Sequence, residues 1–118
     1  MKELEDYIQR QKEWSMKTFG EGRRTIGLCK HIESELLEIK KNPEDVMEWI
    51  DILILGLDGA WRTGATPEQI VKTLARKQEI NFSRKWPEPS PEDKPNFHVH
   101  RCPECNKYYT PGCVCDVP

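Results

Sequence analysis

The chain has 118 residues, with 18 lysines and arginines against 20 aspartates and glutamates, a formal charge of -2. Hydrophobic residues make up 36% and charged residues 32%, below the roughly 45–50% apolar share of a typical globular domain, so one small domain with a lean core is expected, helped by subunit association or a metal. The longest apolar run, Ile52 to Leu55, falls far short of the about 20 residues of a membrane span, and the charged stretch Met1 to Arg10 has no apolar block of the kind a secretory leader carries; a cytoplasmic protein without a membrane partner is expected.

In chain order, apolar spacing predicts a short helix over residues 4–16, followed by a loop at Phe19-Gly20-Glu21-Gly22. Ile26, Leu28, Ile32, Leu36, Leu37 and Ile39 then predict a helix over 25–41 that stops at Asn42-Pro43, because proline disfavours helix for the residue before it. The same Asn42-Pro43-Glu44-Asp45 reads as the start of a third helix: Asn caps, Pro suits the first turn, and two acids meet the positive end of the dipole. This helix runs to about Arg62, where Thr63-Gly64 ends it. Thr66-Pro67-Glu68-Gln69 has the form of a capping box and opens a fourth helix that runs to about Phe82. The fold class is all-α, four helices with short connections in a bundle. From Trp86 the composition changes: Pro87, Pro89, Pro91 and Pro95 crowd together, the mark of a partly extended linker. Residues 1–86 thus form the helical domain, 87–96 the linker and 97–118 a Cys- and His-rich tail.

The informative feature is a pair of acidic motifs, Glu35-Leu-Leu-Glu38 on the second helix and Glu48-Trp-Ile-Asp51 on the third. Spacing of i,i+3 presents two carboxylates from one helix face, and a tight helical hairpin sets the two pairs opposite each other. The stretch from His31 to Asp51 carries a local charge of -5, against +3 for the rest of the chain. Carboxylates gathered on an apolar hairpin repel unless a cation neutralises them, and hard oxygen ligands favour Mg²⁺ or Mn²⁺ over Zn²⁺. The competing reading is a solvated face paired with lysine and arginine. A di-iron carboxylate bundle is set aside, because its Glu-x-x-His pairs are missing. The third helix is apolar around most of its circumference, so it is expected to be central and largely buried. On it, Asp58 shares a stripe with Glu48, Asp51, Leu55 and Arg62, as a further ligand or as the partner of Arg62.

From Arg62 to Lys85 the chain carries a local charge of +4, and Lys77, Asn81 and Arg84 repeat at i, i+4 and i+7, on one face if the helix reaches Arg84. Such donors beside a metal suit a polyphosphate, although a plain solvated face has the same spacing. Trp14 and Phe19 could stack a base or belong to the core.

These residues resemble the MazG-like members of the all-α nucleoside triphosphate pyrophosphohydrolases, whose signature E-x-x-E, spacer, E-x-x-D is matched by Glu35, Glu38, Glu48 and Asp51. The wider pattern, with Thr18-Phe19-Gly20, His31-Ile32, the run from Glu48 to Ala60, and Lys77, Asn81, Arg84 and Trp86-Pro87, is similar to the dATP/dGTP pyrophosphohydrolase branch that includes phage MazZ-type enzymes. Two departures stand out. Ser34 takes the place of a Glu found in many relatives, and the spacer from Glu38 to Glu48 is short. The resemblance implies hydrolysis of a nucleoside triphosphate between the α and β phosphates. It also implies two or three Mg²⁺ or Mn²⁺ held by Glu35, Glu38, Glu48 and Asp51, which bridge phosphate oxygens and acidify a water. Glu35 or Glu38 would act as the catalytic base, and Lys77, Asn81, Arg84 and Asp58 would bind substrate. A homodimer or homotetramer is implied as well.

In the tail, Cys102, Cys105, Cys113 and Cys115 form C-x₂-C-x₇-C-x-C, which suits tetrahedral Zn²⁺, with His98 or His100 able to replace one thiolate. Four of five cysteines in so short a stretch favour metal over disulfides in a reducing compartment. The alternative to the hydrolase is therefore a zinc-knuckle nucleic-acid-binding or adaptor protein with a structural bundle; for the hydrolase, no nucleic-acid partner is expected.

Overall fold

The computed structural model describes residues 1–97 and, beyond them, the backbone of residues 100–101 and 108–109. Four helices follow in order: α1 Lys2–Phe19, α2 Thr25–Lys41, α3 Val46–Arg62 and α4 Pro67–Ser83. Two short strands, β1 His100–Arg101 and β2 Tyr108–Tyr109, pair antiparallel with His100 opposite Tyr109. The chain separates into two compact units, Met1–Leu74 and Ala75–Pro118. The all-α reading holds. The zinc ligands expected at Cys102, Cys105, Cys113 and Cys115 lie outside the described residues.

The turn between α2 and α3 differs from the sequence reading. Asn42 ends α2 rather than opening α3: its amide N–H donates to the Glu38 carbonyl at 2.9 Å, and Pro43 behind it disfavours the helical conformation. The capping role falls to Asp45, whose carboxylate accepts the Met47 amide N–H at 3.0 Å, an N-cap bond of the usual kind. The Trp49 indole N–H donates to the Pro43 carbonyl at 2.9 Å and ties the turn to the first coil of α3. This turn lets α3 pack antiparallel to α2, and its position sets which residues of the two helices meet.

At the start of α4 the capping box is present in both directions. The Thr66 hydroxyl accepts the Gln69 N–H at 3.1 Å, and the Gln69 side-chain oxygen accepts the Thr66 N–H at 2.9 Å. Thr66→Ala removes one of these bonds and should lower stability by about 1 kcal/mol, read as a drop in the thermal or urea midpoint with helix content otherwise unchanged.

The core of the first unit is small. Ile8, Trp61 and Ile70 are buried together, with Leu4, Met16, Leu57, Ala60, Ala65 and Val71 packed on them. Four polar side chains, Gln11, Ser15, Asp58 and Arg62, are buried as well. The expectation that α3 is buried around most of its circumference is corrected: Trp49, Ile50 and Leu53 are 54%, 42% and 55% exposed. Among the described residues α3 packs against α2 and α1, and the apolar face that carries Trp49, Ile50 and Leu53 stays exposed there.

Candidate metal centre and the cavity beside it

Because the 42–45 turn is tight, acids from the end of α2 and the start of α3 are brought side by side. Glu35, Glu48 and Asp51 each offer a carboxylate oxygen within 4.8 Å of the others. Glu35 and Glu48 are half-buried. Glu38 lies outside this trio yet contributes to the same field: the Glu48 carboxyl is raised above its ordinary pKa of 4.5 by loss of hydration first, then by the charges of Asp45, Glu38, Asp51 and Glu35. Four negative groups thus bear on one carboxylate. A set of acids from two helices that oppose one another's ionisation is what a hard divalent cation, with its preference for several oxygen ligands, would neutralise. On this test the residues fit Mg²⁺ or Mn²⁺.

The sign of the Glu48 shift gives a measurable consequence. An acid whose pKa is higher folded than unfolded holds its proton more tightly in the folded state. Its contribution to stability is therefore lost as pH rises from 4.5 through the folded value. In chelator at neutral pH, Glu48→Gln should melt above the unsubstituted chain, and the difference should vanish below pH 4.5. Equal melting temperatures at both pH values would show that the carboxylates do not strain the metal-free chain.

His31 stands one turn before Glu35, with its Nε2 3.3 Å from Glu35 Oε1. It also lines a cavity of about 180 Å³. Phe19, Gly27, Leu28 and Leu55 supply apolar wall, and Arg24 adds a charged edge. Asp58 and Arg62 line the same cavity from below, and both are buried.

Asp58 is the hub of a polar network. Its carboxylate accepts hydrogen bonds from Gln11 Nε2 at 3.0 Å, from the Ser15 hydroxyl and from Arg62 Nε. Arg62 in turn donates from Nη2 to the Ser15 hydroxyl, and from Nη1 to the carbonyls of Gly20 and Gly22 at 2.9 and 2.8 Å. Gly20 and Gly22 have φ of +100° and +84°, a region that favours glycine, and this turns both carbonyls toward one guanidinium. The Trp61 ring lies 4.4 Å from the guanidinium carbon and donates its indole N–H to Gln11 Oε1. The pairing with Arg62, one of the roles read for Asp58 in the sequence, is present in the structure. Sequence reading missed the contributions of Gln11, Ser15 and the glycine carbonyls. Their only signal is two polar residues at i,i+4 on the helix face that also carries Ile8.

Trp14 and Phe19, read as stacking or core residues, are 57% and 51% exposed, and their rings meet edge to face at 5.5 Å. Lys77, Asn81 and Arg84 belong to the second unit. The helix ends at Ser83, and Arg84 follows in a turn whose N–H donates to the Asn81 carbonyl at 3.3 Å. The same carbonyl accepts the Trp86 indole N–H at 2.8 Å.

The family described as dATP/dGTP pyrophosphohydrolase matches residues 7–105, a span that takes in the acidic centre, the cavity and the polar network. The chain belongs to the dATP/dGTP pyrophosphohydrolase family. It is also similar to the Eaa protein of Salmonella phage P22, with 38% identity over 92 residues that cover 78% of this chain and 28% of the relative. The chain thus spans little more than a quarter of the length of that curated relative. No solved structure matches significantly. As in the MazG-like pattern, this member of the family carries its E-x-x-E and E-x-x-D motifs on consecutive helices, α2 and α3. Among the described residues no helix is long and apolar enough to cross a membrane.

Proposed function

We propose that the chain hydrolyses deoxynucleoside triphosphates, dATP or dGTP, to the monophosphate and pyrophosphate in a reaction that depends on Mg²⁺ or Mn²⁺. The observation that carries this reading is the convergence of Glu35, Glu48 and Asp51 from two helices in a chain of this family. With Glu38 at the edge of the same field, the four acids would hold two or three cations. Bound there, the metal supplies charge neutralisation at the phosphates and lowers the pKa of a water. Glu35 or Glu38 would take the proton of the attacking water. His31, in contact with Glu35, orients its carboxylate. Lys77, Asn81 and Arg84 are the donors proposed for the leaving pyrophosphate.

The exposed face of α3, with Val46, Trp49, Ile50 and Leu53, is proposed to be covered by a second copy of the chain in a dimer or larger homo-oligomer. It offers apolar surface of the kind that marks an association site, and the small core of one chain gains by the burial. Sedimentation as a monomer at assay concentration would overturn this. The zinc site at Cys102, Cys105, Cys113 and Cys115 is retained as a proposal from the spacing, and stoichiometric zinc in protein purified without added metal would support it.

The test of the reaction is direct: each dNTP and NTP is incubated with the protein and Mg²⁺ or Mn²⁺, and monophosphate and pyrophosphate are separated by chromatography. Metal-dependent pyrophosphate release with a purine deoxynucleotide preference is the expected result. Release of single orthophosphate, or no turnover with any triphosphate, overturns it.

A further inference from the structure

We propose that the outer face of α1, where Tyr7, Arg10, Trp14 and Lys17 line a groove against Ile54 of α3, binds single-stranded nucleic acid. The inference is independent of the hydrolase reading, for which no such partner was expected.

The face is set by helix periodicity. α1 buries Ile8, Gln11 and Ser15, and with about 3.6 residues per turn Tyr7, Arg10, Trp14 and Lys17 fall in a separate stripe along its flank. The two rings are 40% and 57% exposed. A single exposed aromatic is ordinary on a protein surface. Here a ring and a cation at i,i+3 are followed by a second ring and cation at the same spacing, seven residues on, about 10 Å along the axis. The groove they line is an open trough of about 790 Å³ rather than an enclosed pocket.

Charge points the same way. Glu13 stands three residues from Arg10 and four from Lys17, spacings at which a helix pairs opposite charges. It also lines the groove, yet its Oε1 accepts Gln9 Nε2 at 2.9 Å instead. Arg10 and Lys17 are thus left without an ion-pair or hydrogen-bond partner among the described residues. Exposed rings interleaved with unpaired cations are the surface on which bases stack while the backbone phosphates are neutralised, whatever the base sequence. Two unpaired cations suit a polyanion better than a second copy of the same face. A single nucleotide uses one ring and one cation, whereas a ligand that itself repeats base and phosphate uses both units.

The test is the fluorescence anisotropy of a labelled oligothymidylate titrated with the full chain in chelator, so that no metal at the acidic centre takes part. Binding should weaken with salt, since each single-strand phosphate contact adds about -0.7 to the log–log slope. Arg10→Ala with Lys17→Ala should make that slope shallower by about 1.4, the value of two contacts. Trp14→Ala should weaken binding about tenfold and Trp14→Phe much less, because the phenyl ring still offers a stacking face. The Arg10 and Lys17 variant should keep the pyrophosphate release of the unsubstituted chain. Absence of oligonucleotide binding, or equal affinity and slope in the variants, overturns the proposal; the latter would place binding elsewhere on the chain. Displacement by polyglutamate as effective as by unlabelled oligothymidylate would reduce the face to a charge patch, and equal displacement by dTMP would reduce it to a mononucleotide site. Dissociation of an oligomer by Trp14→Ala in sedimentation would make the groove a contact between copies and overturn it as well. If the unsubstituted chain releases no pyrophosphate, the hydrolase reading fails and the oligonucleotide result still decides this one.

Discussion

Asp51→Asn and Glu38→Gln are each expected to fold and to lose about a thousandfold or more in kcat/KM. A metal ligand contributes several kcal/mol of charge stabilisation at the transition state, and each 1.36 kcal/mol is tenfold in rate. Folding is expected to survive because both acids add to the negative field that raises the Glu48 pKa, so removal of either charge relieves repulsion in the metal-free chain. The two variants should part company in metal binding. Asp51 belongs to the trio whose oxygens lie within 4.8 Å, and its amide should weaken Mn²⁺ binding in a titration followed by calorimetry or electron paramagnetic resonance. Glu38 stands outside that trio, and if it is the base its amide should spare Mn²⁺ affinity and lose turnover. Wild-type turnover in both variants would remove the acids from the mechanism.

How much of this was legible before the structure depends on the range over which each signal acts. The capping box at Thr66 and Gln69 and the limits of α2 are local events, and spacing alone placed them. The acids were legible for the same reason: i,i+3 pairs either side of a short turn have few ways to avoid each other. Asn42 was misread because Asn is a competent cap at either end of a helix, and only the presence of Asp45 three residues later decides between them. The exposure of Trp49, Ile50 and Leu53 was hidden because periodicity reports that a face is apolar, not what covers it. The cavity had no local sign at all. It is made where the end of α1, the start of α2 and the middle of α3 meet, and its floor joins Gln11 and Ser15 to Asp58 and Arg62 across more than 40 residues of chain.

That floor carries the largest stability effect expected in the first unit. The side chains of Asp58 and Arg62 are 8% and 3% exposed, so Asp58→Ala leaves a guanidinium buried without its counter-charge, and strips the Gln11 amide and the Ser15 hydroxyl of their shared acceptor. Breaking one side of such a pair costs about 3–5 kcal/mol. Against the about 5–15 kcal/mol total of an ordinary domain, and with so few apolar side chains buried, a large unfolded fraction should appear at moderate urea. Replacing both partners, as in Asp58→Leu with Arg62→Met, removes the stranded charge and should recover most of that loss, because a well-packed apolar pair is often as stable as the ion pair it replaces. The loop should not follow. Without the guanidinium the Gly20 and Gly22 carbonyls lose their shared donor and the loop loosens. Recovered stability with faster amide hydrogen exchange across residues 20–24 would separate what the pair does for the fold from what it does for the loop. Recovery of both would reduce Asp58 and Arg62 to packing, and a single-variant loss below about 1 kcal/mol would mean that the pair is solvated rather than buried.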